Sequence, residues 1–165
     1  MSGAPIDLNV KSNEELDNLI SNHERRGAIR APLFLAALAE RERRRPGGLD
    51  FDRSKAAIVE AAKARRFISY KDLADHSGAE WSKVHYAMND HLGRLITWSY
   101  GQFGVLFSAV VVNHASRETG DMDDATLAGF VRAAKWLGIE PGSDHHAFLK
   151  EQQKRVFDWA QDQDP

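Results

Sequence analysis

One run of β-branched residues interrupts a chain otherwise written in helical periods. Positions 105–112 read Val-Leu-Phe-Ser-Ala-Val-Val-Val, bracketed by Gly101 and Gly104 before and Asn113 after. Such a run reads as a strand. A lone strand leaves its backbone N–H and C=O groups unpaired. A partner is therefore expected from Ile96 to Tyr100, from the following loop, or from another subunit. With one strand in 165 residues, the expected fold class is mainly α with a small β element.

Helix signals fill the rest. Ser12 with Glu15 is a capping box, followed by the apolar stripe Leu16, Leu19 and Ile20. Pro32 suits a first helical turn and opens a helix to Arg45, ended by Pro46-Gly47-Gly48. A third helix is expected from Arg53 to Arg66. Ser69 with Asp72 forms a second capping box on a short helix that Gly78 closes. Ser82 is expected to cap the next helix, running through Val84, Met88 and Leu95 to Trp98. His114 to Asp124 reads as a polar loop, with helices following at 124–137 and 144–160. Pro46-Gly47-Gly48 is the natural boundary, dividing a two-helix arm (1–48) from a mixed core (49–165).

Composition excludes several classes. The chain has no cysteine, so disulfides, thiolate metal sites and cysteine nucleophiles are ruled out. No apolar run reaches the ~20 residues of a membrane span. Met1 to Asn9 lacks the basic flank and apolar stretch of a secretion signal. The expected location is the cytoplasm, with no membrane partner. The net charge of -2 hides an uneven distribution: -3 over 1–22, +5 over 23–94 and -4 over 95–165. A positive middle points to a polyanion. Arginine dominates it, at Arg25, Arg26 and Arg30, at Arg41, Arg43, Arg44 and Arg45, and at Arg65 and Arg66. A guanidinium donates two parallel hydrogen bonds to phosphate. Cations at the end of a helix equally answer its dipole, and Arg41 to Arg45 stand at such an end.

The most informative segment is Tyr70 to Asn89, YKDLADHSGAEWSKVHYAMN. A helix-turn-helix crosses two short helices steeply, which fixes residue types at fixed positions. Ala74 supplies the small residue at the crossing. Gly78 supplies the turn residue that tolerates positive φ. Val84 supplies the β-branched anchor, and Leu73 and Ala87 add apolar contacts. Ser77 departs from the pattern at a position that is usually apolar. On this reading Val84, Ala87 and Met88 face inward, while Ser82, Lys83, His85, Tyr86 and Asn89 project outward. Asn89 suits adenine, and Lys83 suits guanine or phosphate. His85 and Tyr86 suit phosphate oxygens, and Ser69 and Lys71 suit the sugar-phosphate backbone. Glu80 and Asp90 oppose it by repelling phosphate.

From Phe67 to Trp159 the order of elements resembles a known family. Phe67-Ile68-Ser69-Tyr70-Lys71-Asp72-Leu73-Ala74, a helix, Leu106-Phe107-Ser108-Ala109-Val110-Val111-Val112-Asn113, a glycine-bearing loop and a late helix are similar to the alkylguanine-DNA alkyltransferase and alkyltransferase-like winged-helix domain. That family's mark is Pro-Cys-His-Arg with the acceptor cysteine. Phe107-Ser108-Ala109-Val110 stands at that place without cysteine, histidine or arginine, so the resemblance implies a DNA-handling winged-helix scaffold and not alkyl transfer. The layout is also similar to that of bacterial proteins, a likeness that implies no activity.

No other chemistry is spelled out. The seven histidines, His23, His76, His85, His91, His114, His145 and His146, show no metal-binding spacing and read as cap or surface residues. His145 and His146 are adjacent, so on a helix they point about 100° apart. Asp121, Asp123 and Asp124 lack the twelfth-position glutamate of a calcium loop. No phosphate loop, nucleophile elbow or dinucleotide fingerprint occurs. Neither a metal nor a cofactor is expected. Trp81, Trp98, Trp136 and Trp159 are expected in packing. The expected function is non-enzymatic DNA binding or regulation. Its outward helix would meet the groove while Arg43, Arg44, Arg45, Arg65 and Arg66 hold phosphates. The alternatives are a protein-interaction or homo-oligomerisation module built on the arm, and a nuclease-type enzyme or one acting through His85, His91 or His114.

Overall fold

The computed structural model describes residues 6–45 and 48–163. Helix α1 (Asn13–Arg25) follows a 3₁₀ turn at Leu8–Val10 and leads to α2 (Pro32–Arg43) and α3 (Phe51–Lys63). Strand β1 (Ile68–Ser69) then enters α4 (Tyr70–His76) and α5 (Trp81–Val84), and a 3₁₀ turn at His85–Ala87 joins α5 to α6 (Met88–Phe103). A further 3₁₀ turn, Phe107–Val110, precedes β2 (Val111–Val112). A last one at His114–Ser116 leads to α7 (Asp124–Trp136) and α8 (His145–Gln161). The molecule is mainly α, as its helical periods require, with a single two-stranded sheet among the described residues. No helix among the described residues is long and apolar enough to cross a membrane.

Both capping boxes form. Ser12 Oγ accepts the Glu15 N–H at 3.1 Å while the Glu15 carboxylate accepts the Ser12 N–H at 3.3 Å. Ser69 and Asp72 exchange the same pair of bonds at 3.0 Å each. Each box satisfies two backbone donors that a helix start otherwise leaves open.

The 105–112 run is corrected. Only Val111 and Val112 are strand, and Phe107–Val110 coil into a 3₁₀ turn. The partner is β1, in parallel register with Ile68 opposite Val111 and Ser69 opposite Val112, not any of the three candidates read from the sequence. The described residues therefore hold no antiparallel hairpin of the kind that makes a wing. Side chains do the work of missing strands. Phe107 N–H donates to Ser99 Oγ at 3.1 Å, and that hydroxyl donates to the Val105 carbonyl at 2.9 Å. The buried Gln153 amide donates to the carbonyls of Ala109 and Gly120 at 3.0 and 2.8 Å. Its apolar residues signal burial, and burial in a core tolerates any backbone shape whose polar groups find partners.

Leu106, Phe107 and Val110 to Val112 are fully buried, in one cluster with Phe51, Ile58, Leu95, Leu149 and Val156. Each contributes about 1.5–3 kcal/mol by leaving water. A smaller cluster of Phe34, Leu35 and Leu38 packs with Ile20, Ile29 and Trp98. The expected chain break falls partly outside the described residues, at Pro46 and Gly47; Gly48 has φ +90°. Across it, α2 is tied to α6: Ala39 joins the main cluster, and at Gly101 the Ile29 carbonyl and Leu35 approach so closely that no side chain would fit. Gly101 thus belongs to α6, which runs to Phe103 rather than stopping at Trp98. Trp81, Trp98 and Trp159 pack against the main cluster. Trp136 does not: it is 59% exposed, because the buried stripe of α7 is Leu127, Phe130, Val131 and Ala134, and position 136 falls off it.

Candidate nucleic-acid interface

The turn between α4 and α5 is built as its sequence demands. Gly78 has φ +73°, a conformation costly for any residue with a Cβ. Ala79 N–H closes the turn on the Ala74 carbonyl at 2.9 Å. Ala74 and Leu73 are fully buried, and Val84 and Met88 anchor the following segment at 3% and 2% exposure. Ser77, polar where an apolar residue is usual, accepts the Asp50 N–H at 2.9 Å and fastens the turn to the start of α3.

Two expectations about this segment change. The single helix expected from Ser82 to Trp98 is three pieces, α5, the 85–87 turn and α6. Trp81–Val84 packs on α4 while Met88–Phe103 packs on α2 and α3, and one straight rod cannot follow both directions. Ser82 is not the cap: Glu80 occupies that position and makes no side-chain cap bond, leaving Ser82 exposed within the helix.

The outward face is as expected. Ser82, Lys83, His85, Tyr86 and Asn89 are exposed, Tyr86 at 74%, while Ala87 is half-buried. Lys83 stands 3.4 Å from Glu80, both largely in solvent, a pairing of little strength. Rings lead along the segment, Trp81 to His85 at 5.9 Å between centroids and His85 to Tyr86 at 6.3 Å edge-on.

A cavity of about 540 Å³ lies beside this face, lined by residues that sequence reasoning did not bring together. His85 and Asn89 form part of its wall along with Trp81 and Tyr70, and Ser108, Asn113, Thr126, Phe130 and Arg132 complete it. Burial pushes the Tyr70 phenol above its ordinary pKa, a bond with the Thr126 hydroxyl opposes this, and the Asp123 carboxylate adds to it. Tyr70 is therefore neutral and able to donate. Arg132 is the one Lys, Arg, Asp or Glu side chain in the lining, and it has no acidic partner among the described residues.

Ser69 is corrected. Its side chain is fully buried, committed to the α4 cap and 3.4 Å from His114 Nδ1, so it cannot reach a phosphate. Lys71, in the first turn of α4, is exposed.

The arginines are placed differently from the phosphate clamp expected of them. Arg43 pairs with Asp52 at 3.0 Å and Glu40 at 3.4 Å. Arg44 pairs with Glu40 at 3.1 Å and donates to the carbonyls of Leu8, Asn9 and Lys11, tying down the first turn. Arg45 and Arg94 both lie 2.6 Å from the same oxygen of Glu42, which is 4% exposed. Arg41 meets Asp17 at 2.8 Å, and Arg65, itself at φ +53°, meets Asp158 at 3.0 Å. Arg66 is exposed and has no acidic partner among the described residues.

The histidines are not all at the surface. His91 is 3% exposed, its Nε2 2.8 Å from Ser54 Oγ. Burial brings its pKa down to about 4, with Glu42 opposing and Arg94 reinforcing. His114 sits in an exposed loop 3.1 Å from Arg117, so His85, His91 and His114 occupy three different places. Asp123 caps α7 on the Thr126 N–H at 2.8 Å, and Asp121 pairs with Lys150 at 3.1 Å.

Compared with family models, curated proteins and solved structures, the chain matches none.

Proposed function

We propose that the protein is a cytoplasmic, non-enzymatic DNA-binding or regulatory protein that presents residues 81–89 to nucleic acid. One observation carries the reading: His85 and Asn89 belong at once to the exposed face of that segment and to the wall of the adjoining cavity. A strand laid along this segment would meet the cavity through His85 and Asn89. The cavity's aromatic walls and its Asn89, Asn113 and Ser108 groups suit a planar ring with a hydrogen-bonding edge, such as an unstacked base. Lys71, Lys83, Arg66 and Arg132 supply the cations for the phosphates; Arg43, Arg44, Arg45 and Arg65 serve the fold instead.

Fluorescence anisotropy with a labelled duplex, at rising salt, tests it. Binding in dilute salt that weakens steeply with concentration is expected, because neutralised phosphates release counterions. A duplex with one unpaired base should bind more tightly than an intact one, since less unstacking is required. No binding to either at low salt would reject the proposal.

A further inference from the structure

A separate cavity of about 670 Å³ opens between α8, the α7–α8 loop and Arg30 with Tyr100. None of its residues lies in the 81–89 segment. Tyr100, Ile139, Pro141 and Phe148 supply apolar surface. Most of the charged groups around it are already engaged. The Asp144 carboxylate accepts the Ala147 N–H at 3.0 Å, which starts α8. Glu140 accepts the Gly142 N–H at 3.2 Å, and Glu151 pairs with Arg155 at 3.1 Å.

Among the polar side chains of this cavity, Arg30 and Gln152 make no hydrogen bond or ion pair with the described residues. The Arg30 guanidinium stands 5.4 Å from the centroid of the Tyr100 ring and has no acidic partner among the described residues. Gln152 is only 7% exposed, yet its amide makes no hydrogen bond among the described residues. Its amide atoms still meet solvent and Gln152 lines the cavity, so they are open to a ligand that enters it.

We propose that this cavity is a binding site for a small organic carboxylate with an apolar body. The fork of Arg30 matches the two oxygens of a carboxylate. Its seat on Tyr100 holds the guanidinium in place, which reduces the ordering that binding requires. Gln152 adds a second donor from the inner wall, and the apolar body lies on Phe148, Ile139 and Pro141. The volume falls within the roughly 300–1,000 Å³ of small-ligand sites.

The test is an NMR titration of the whole ¹⁵N-labelled chain with three probes of one shape: benzoate, neutral benzamide and cationic benzylamine. Benzoate should give saturable shifts at the Arg30 Nε–H and the Gln152 side-chain amide, with weaker effects from the other two. Arg30→Ala removes the fork from an exposed position, and Gln152→Glu keeps the shape while placing a negative charge in the wall. Each should weaken benzoate binding by about tenfold or more, the loss of one charge-assisted bond. Arg30→Ala, with the rest of its spectrum unchanged, decides the matter even where Gln152→Glu does not fold. Equal binding of benzamide or benzylamine, unsaturable shifts spread over the surface, or no shift because water alone fills the cavity would overturn the proposal.

Discussion

The end of α2 and the segment 81–89 are both polar, and the first carries far more positive charge. Yet the first is closed to partners and the second is open. Within reach of Arg41, Arg43, Arg44 and Arg45 stand Asp17, Glu40, Glu42 and Asp52, so each guanidinium already faces an acid of its own chain, the Arg43–Asp52 pair half in solvent. At 81–89 the one acid paired with Lys83 among the described residues is Glu80, and both remain in solvent. Charge along a sequence therefore says less about binding than the position of the counter-charges in space. A cation surrounded by its own acids holds the chain together, whereas one left to water is available to something else.

This contrast can be broken by experiment. The largest effect is expected at Glu42. Glu42→Ala leaves Arg94 and Arg45, each partly in solvent, without their common buried partner, and urea unfolding should show a loss of about 2–3 kcal/mol. A loss within the range of a surface substitution would mean that the end of α2 is no more a structural clamp than 81–89. Next comes His91, which lies against the same network. Its folded pKa of about 4 is below the ordinary 6.5, so the unfolded chain takes up the proton first as pH falls. Its contribution is complete above pH 6.5 and declines toward pH 4. Unfolding free energy should fall by about 2 kcal/mol between pH 7 and pH 5 from this group, and His91→Gln should flatten that slope.

Ser69→Ala should cost about 1 kcal/mol through the lost cap, with the same nucleic-acid affinity once the protein is folded. An affinity loss at unchanged stability would return Ser69 to the interface. The smallest effect on stability belongs to Lys83→Ala and Asn89→Ala, within about 0.5 kcal/mol each, while anisotropy should show weaker DNA binding. If these two substitutions unfold the protein, the segment is part of the core and the contrast fails.

Local physics was legible in the chain. Ser12 and Ser69 mark helix starts, Gly78 marks a positive φ, and the spacing of Val84 and Met88 marks an inner face with its outer face exposed. What could not be read depends on partners distant in sequence. Arg65 meets Asp158, and Arg44 meets the carbonyls of the first turn. Ser54 meets His91, which hid a buried histidine among six others. The 105–112 run misled because its residues state that it is buried, while Ser99 and Gln153 decide how its backbone is satisfied. The cavity beside 81–89 combines α4, α6, α7 and the 108–113 stretch, and no short motif spans them.

The seam of β1 and β2 joins positions 43 residues apart, Ile68 to Val111, with the segment 81–89 lying in the chain between them. Such a closure is made late, since the intervening chain must be ordered before its ends can meet. A peptide cut from 69 to 93 would therefore lack the clasp that gives it shape, and its silence toward DNA would say nothing about the intact molecule.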